Sequence, residues 1–96
     1  MGKYNSDFTE TGYYGNFIEA SFFDLVHLFG LPSINNGEDK VNYEWELQTE
    51  GGIPFTLYDW KYYRPLLIEE PIIWHIGADS REHSKIIQQK LDTLLK

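Results

Sequence analysis

The 96-residue sequence contains no cysteine. This excludes disulfide bonds, a thiolate nucleophile and metal sites built on cysteine. The sequence also lacks any apolar run near the roughly 20 residues that a membrane-spanning helix needs, so we expect no contact with a membrane. The first ten residues have no apolar stretch of the kind that forms the core of a secretory signal peptide.

Basic residues are scarce, with eight lysines and arginines against fifteen aspartates and glutamates. Residues 1–79 contain four of the basic and thirteen of the acidic residues, which leaves this part strongly negative. Such a surface repels phosphate, so direct binding of nucleic acid is not expected and a partner protein with a basic surface is favoured. Acidity also keeps small proteins soluble, so composition alone leaves both explanations open.

Apolar residues are plentiful by contrast. The chain is 42% hydrophobic and 17% aromatic, which is sufficient for a core in one domain over residues 1–96. Residues 1–11 have no apolar pattern and are predicted to be frayed.

The clearest pattern is a β-hairpin over residues 41–60. Apolar and polar residues alternate with a period of two through residues 41–48, which is typical of a strand with one buried face. Gly51-Gly52 supplies the turn, and Phe55 and Leu57 continue the apolar side on the returning strand. The residues predicted to face the core are Val41, Tyr43, Trp45, Leu47, Phe55 and Leu57.

Two helices are predicted from their ends and their apolar stripes. The first spans 21–29, with Ser21 as N-cap, Asp24 completing a capping box and Gly30 following the last turn. The second runs from about Ser80 to Leu95, with Asp79 as its N-cap candidate.

Two further strands are predicted at residues 13–20 and 72–76, the second ending at Gly77. Gly12 and Gly15 favour a bend or an edge position for the first of them. The element order is then β-α-β-β-β-α. We expect an α+β fold in which three or four mainly antiparallel strands carry both helices on one face.

This arrangement predicts a set of polar and aromatic side chains on the opposite, open face of the sheet. Alternation places Glu44, Glu46, Tyr58 and Trp60 there, and His75 joins them if Trp74 points into the core. Exposed aromatic residues call for a cover, which the 61–71 connection, a second copy, a partner protein or a small molecule could provide. The predicted partner-binding residues are Glu44, Glu46, Tyr58, Trp60, Lys61 and His75.

Two other functions use overlapping residues. A nucleotide or signalling molecule could bind through Tyr58, Trp60, Lys61 and His75. A small hydrolase could use Glu44 and His75, with Glu46 beside them, as an acid–base set. The sequence has no nucleophile motif and no metal-binding motif, so we predict no catalytic residue, no metal ligand and no cofactor.

The chain resembles a set of small phage-encoded proteins. The resemblance is carried by FFDLVHLFGLP (22–32), DKVNYEWEL (39–47), Gly51-Gly52, TLYDWK (56–61) and WHIG (74–77), in that order. Ala78 stands where family members often have a second glycine.

The resemblance implies a viral origin and a place in the cytoplasm of the host cell. Small acidic phage proteins often inhibit host machinery, so it also implies a non-enzymatic inhibitor that acts by protein–protein contact. The expected target is a nucleic-acid-targeting defence system, inhibited in an anti-CRISPR-like or other anti-defence manner. The negative charge adds the hypothesis that the target surface normally holds nucleic acid.

Overall fold

The computed structural model describes residues 2–3, 11–33, 43–60, 62 and 66–95. Val41 of the predicted hairpin and Lys61 of the predicted binding surface lie outside these residues. The described chain forms an α+β fold, as predicted. Its elements are β1 (Gly2–Lys3), β2 (Gly12–Ala20), α1 (Phe22–Phe29), β3 (Glu44–Gln48), β4 (Pro54–Tyr58), β5 (Ile72–Ala78) and α2 (Arg81–Leu94). After the two-residue β1, the order is the predicted β-α-β-β-β-α.

The sheet is antiparallel throughout, in the order β1-β3-β4-β5-β2. The predicted hairpin is confirmed as β3 and β4, which pair from Glu44 opposite Tyr58 to Gln48 opposite Pro54. Gly52 closes the turn with a positive φ of 84°, and its N–H donates to the Thr49 carbonyl at 2.9 Å. A residue with a side chain would be strained in that conformation.

β2 is an edge strand, and its pairing with β5 is interrupted. Tyr13 pairs with Gly77 and Phe17 pairs with His75, so three residues lie between these pairs on β2 but only one on β5. Gly15 lies inside this bulge with φ 92°. The predicted end of β5 at Gly77 is wrong, because Gly77 and Ala78 pair with both β4 and β2 and the strand continues.

The core lies between the two helices and the face of the sheet opposite the predicted open face. Trp45 and Trp74 are fully buried at its centre, with ring centroids 5.4 Å apart and ring planes at 77°. Burying an indole N–H is costly unless it finds an acceptor, and both do. Trp45 Nε1 donates to Gly30 O at 3.0 Å, and Trp74 Nε1 donates to Ala20 O at 2.8 Å. The helices contribute Leu25, Phe29, Ile87 and Leu91 to this core.

The two helix starts differ in how well they were predicted. The capping box of α1 is confirmed: Ser21 Oγ accepts from Asp24 N at 3.0 Å, and Asp24 Oδ2 accepts from Ser21 N at 3.2 Å. The Asp79 cap of α2 is wrong. Ser80 is the N-cap and accepts from His83 N at 3.2 Å, whereas Asp79 Oδ1 lies 2.6 Å from His83 Nδ1. Neither helix, within the described residues, is long and apolar enough to cross a membrane.

Candidate functional site

The open face of the sheet gathers the predicted binding residues in cross-strand rows. Glu44, Tyr58, His75 and Phe17 lie directly opposite one another across β3, β4, β5 and β2. In the neighbouring row, Glu46 lies opposite Thr56, which lies opposite Gly77. The prediction that Glu44, Glu46, Tyr58 and His75 share a face is therefore confirmed, and Trp60 joins them through ring contacts.

Four rings form a continuous aromatic cluster on this face: Tyr13, Tyr58, Trp60 and His75. Tyr13 lies flat on His75, with centroids 4.3 Å apart and planes 15° from parallel. Tyr58 meets His75 edge-to-face at 5.5 Å and Trp60 at 6.2 Å. Trp60 closes the cluster at 6.5 Å from His75. The contacts fix the orientation of each ring without removing the cluster from solvent.

Exposure is high for the outer members. Tyr13 is 46% exposed and Trp60 38%, while Phe17, next to His75 in the sheet, is 45% exposed. A group of large aromatic side chains this open is a candidate interaction surface.

The described residues of the 61–71 connection contact helix α1 and strand β5. Ile68 O accepts from Phe23 N at 2.9 Å, so this segment contacts the start of α1, on the helical side. Tyr62 stays near the sheet, where its hydroxyl accepts from Ile73 N at 3.0 Å. Leu67 and Ile68 themselves point into solvent, at 69% and 60% exposure.

Tyr13 and Phe17 were missed as members of the face. Their strand was predicted, but the bulge at Gly15 breaks the period-two pattern that would have assigned Tyr13 to a side. Phe17 could have been assigned, because it alternates with Ile18 and Ala20, which are buried.

Gly77 leaves space for neighbouring side chains in the row beside the aromatic cluster. A Cβ on Gly77 would overlap Thr56 Oγ1 and come within 3.0 Å of Thr11 Oγ1. The two threonine hydroxyls lie 3.5 Å apart, and Thr56 is buried although it belongs to the open face. The missing side chain at Gly77 thus makes room for the threonines.

The β3 end of the face is acidic. Glu44 is half-buried, and its pKa is raised by that burial and, to a smaller extent, by the charge of Glu46. Burial raises the pKa of Tyr58, with the charge of Glu44 as the next contribution. Within the described residues, neither Glu44 nor Glu46 pairs with a lysine or arginine or accepts a hydrogen bond on its carboxylate. The described part of the chain thus places these two charges on the same face of β3 without a compensating positive charge.

A third carboxylate, that of Asp59, was not predicted to have a role. Asp59, at the end of β4, is fully buried, and its Oδ1 accepts from Tyr43 N at 2.8 Å. This bond extends the attachment of β3 to β4 beyond the last strand pair and holds the Glu44 end of the face in place.

The geometry does not assemble the acid–base pair of the hydrolase alternative. Glu44 and His75 stand two strands apart, roughly 10 Å between backbones, with the Tyr58 ring between them. Burial lowers the pKa of His75, which favours its neutral form. Among the described residues no group of three or more histidine, aspartate and glutamate side chains is placed to hold a metal ion.

Comparisons with models of protein families, with curated proteins and with solved structures found no match to this chain.

Proposed function

We propose that this chain is a non-enzymatic binding protein that engages a protein partner through the open face of its sheet. The observation that carries the proposal is the exposed aromatic cluster beside Glu44 and Glu46, two carboxylates that pair with no lysine or arginine among the described residues. In the specific form of the proposal, the protein is phage-encoded and inhibits a host nucleic-acid-targeting defence system by occupying a basic surface of it.

A protein partner fits the face better than a small aromatic ligand. Inserting a nucleobase between two rings requires a gap of about two stacking distances, yet Tyr13 already lies on His75 at 4.3 Å. The remaining cluster is a surface of ring edges and faces, which suits a broad contact. Tryptophan and tyrosine at the centre of an interface contribute most of its binding energy.

The charge of the partner follows from the charge of this chain. Residues 1–79 are strongly acidic, and Glu44 and Glu46 add two negative charges at the face itself. A partner surface rich in lysine and arginine, such as one that normally holds nucleic acid, is complementary to this field. Association should then be fast at low salt and slower as salt screens the charges.

The test begins with the tagged full chain as bait in lysate of a host bacterium, followed by affinity measurements on the purified target. Trp60→Ala removes an exposed anchor and should weaken binding by about 2 kcal/mol or more, since central aromatic residues are typical hot spots. The Glu44→Lys/Glu46→Lys double variant should also weaken binding, and the loss of affinity should be larger at low salt than at moderate salt. Both should also lose inhibition of the target's activity.

Glu82→Lys on α2 is the matched control, because Glu82 is exposed on a different element. It should bind as the original does. A second copy of the chain is the competing occupant of the face, and light scattering tests for it. We expect the mass of a monomer. A dimer mass for the original chain that returns to a monomer mass in Trp60→Ala would assign the face to self-association. Unchanged binding in both face variants would contradict the proposal.

A further inference from the structure

We infer that the acidic end of the open face recognises an arginine side chain presented by the protein partner, with the guanidinium lying between the Glu44 and Glu46 carboxylates and against the Tyr58 ring. This inference rests on the proposed function and specifies the chemistry of the partner at one point of the interface.

The first argument is the arrangement of acceptors. Glu44 and Glu46 are two residues apart on β3 and therefore project from the same face. Their four carboxylate oxygens receive no hydrogen bond from the described residues. A guanidinium group carries five N–H donors in one plane and can bond two carboxylates at once, whereas an ammonium group acts as a point charge.

The second argument is the aromatic side of the same spot. Tyr58 lies directly opposite Glu44, and residues in that relation have Cβ atoms about 5 Å apart. A cation bound to Glu44 therefore also contacts the Tyr58 ring. The edge-to-face contacts with Trp60 and His75 hold that ring in position. Guanidinium is weakly hydrated and stacks on aromatic rings, so a half-buried site next to tyrosine favours arginine over lysine.

The third argument is that no described residue compensates the charges of the two carboxylates. Two neighbouring carboxylates, one of them half-buried, disfavour each other and the folded state. An arginine from outside would supply the missing positive charge and the missing donors together.

The probes are N-acetyl-arginine N-methylamide and the corresponding lysine derivative, titrated into the ¹⁵N-labelled full chain and followed by NMR. Trp45 and Trp74 are fully buried, so the indole N–H of Trp60 is the reporter at the surface. We expect saturable shifts of this signal and of the Glu44 and Tyr58 amides with the arginine probe. The lysine probe should bind about tenfold more weakly, because it loses the second charged hydrogen bond.

Glu44→Gln should lower the affinity for the arginine probe by about tenfold. Glu19→Gln is the control, because Glu19 is exposed on the same face but on β2, three strands away from β3. It removes the same charge and should leave the affinity unchanged.

Equal shifts with both probes, or equal losses in Glu44→Gln and Glu19→Gln, would show general charge attraction and overturn the inference. The absence of a saturable shift near Trp60 would do the same. Neither result would contradict the proposed function, which is tested separately with the captured target. A target whose binding depends on Trp60 but not on Glu44 would mean that the face binds a partner without an arginine at this point.

Discussion

Among single residues, Glu44 shows most directly that a charged side chain of the open face lowers the stability of the folded state. Burial and the neighbouring Glu46 charge raise the pKa of Glu44. A raised carboxyl pKa means that the folded state binds the proton more readily than the unfolded state does. The charged side chain therefore opposes folding at neutral pH, and the opposition disappears as pH falls through the raised pKa towards the ordinary value.

Glu44→Gln should accordingly raise the free energy of unfolding at pH 7, by less than about 1 kcal/mol because the site is partly open to solvent. The difference from the original chain should shrink as pH falls through the raised pKa and vanish well below 4.5, the ordinary value, where the carboxyl is protonated in both the folded and the unfolded state. Urea unfolding at several pH values measures this. A variant that is less stable than the original at pH 7 would mean that the Glu44 carboxylate has a stabilising contact in solution.

At the scale of elements, the packing of the Thr56 side chain of β4 over Gly77 of β5 restricts which residue position 77 can hold. Gly77→Ala places a methyl group onto Thr56 Oγ1, in a strand paired on both sides. We expect a loss of about 1 to 3 kcal/mol, the usual cost of overpacking. Thermal or urea unfolding measures it.

Thr56→Ala in the Gly77→Ala background removes the hydroxyl in the way and should recover part of that loss. A Gly77→Ala chain as stable as the original would show that the strands separate there at no cost. A loss that Thr56→Ala leaves unchanged would assign the effect to the backbone instead.

The same elements show where sequence patterns suffice and where they do not. The β3–β4 hairpin could be predicted because one residue in two is apolar over two consecutive segments, and that also placed Glu44, Glu46 and Tyr58. The position of Tyr13 could not be predicted, because a bulge such as the one at Gly15 shifts the register without changing composition. The start of α2 was misplaced by one residue, since Asp79 and Ser80 are both good caps; in the structure Ser80 Oγ accepts from His83 N, whereas Asp79 contacts the His83 ring.

For the whole molecule, stability depends on the pair of tryptophans at the centre of the core. Trp45→Ala removes a fully buried indole, its edge contact with Trp74 and the hydrogen bond to Gly30 O. We expect a loss of about 3 to 5 kcal/mol, a large share of what a domain of this size has. Chemical denaturation followed by circular dichroism measures it, and a loss under 1 kcal/mol would contradict the central position of Trp45.

The two indole hydrogen bonds have a further consequence. Ala20 and Gly30 immediately flank the Ser21 cap and the eight residues of α1, so each tryptophan of the sheet holds one end of this helix. A helix of eight residues is too short to persist alone, and here it is fastened to the sheet at both ends. These two bonds favour a fixed position of the back of the sheet relative to α1. Under the proposed function, a partner would therefore meet a preorganised surface, and the entropy lost on association would fall on surface side chains rather than on the backbone.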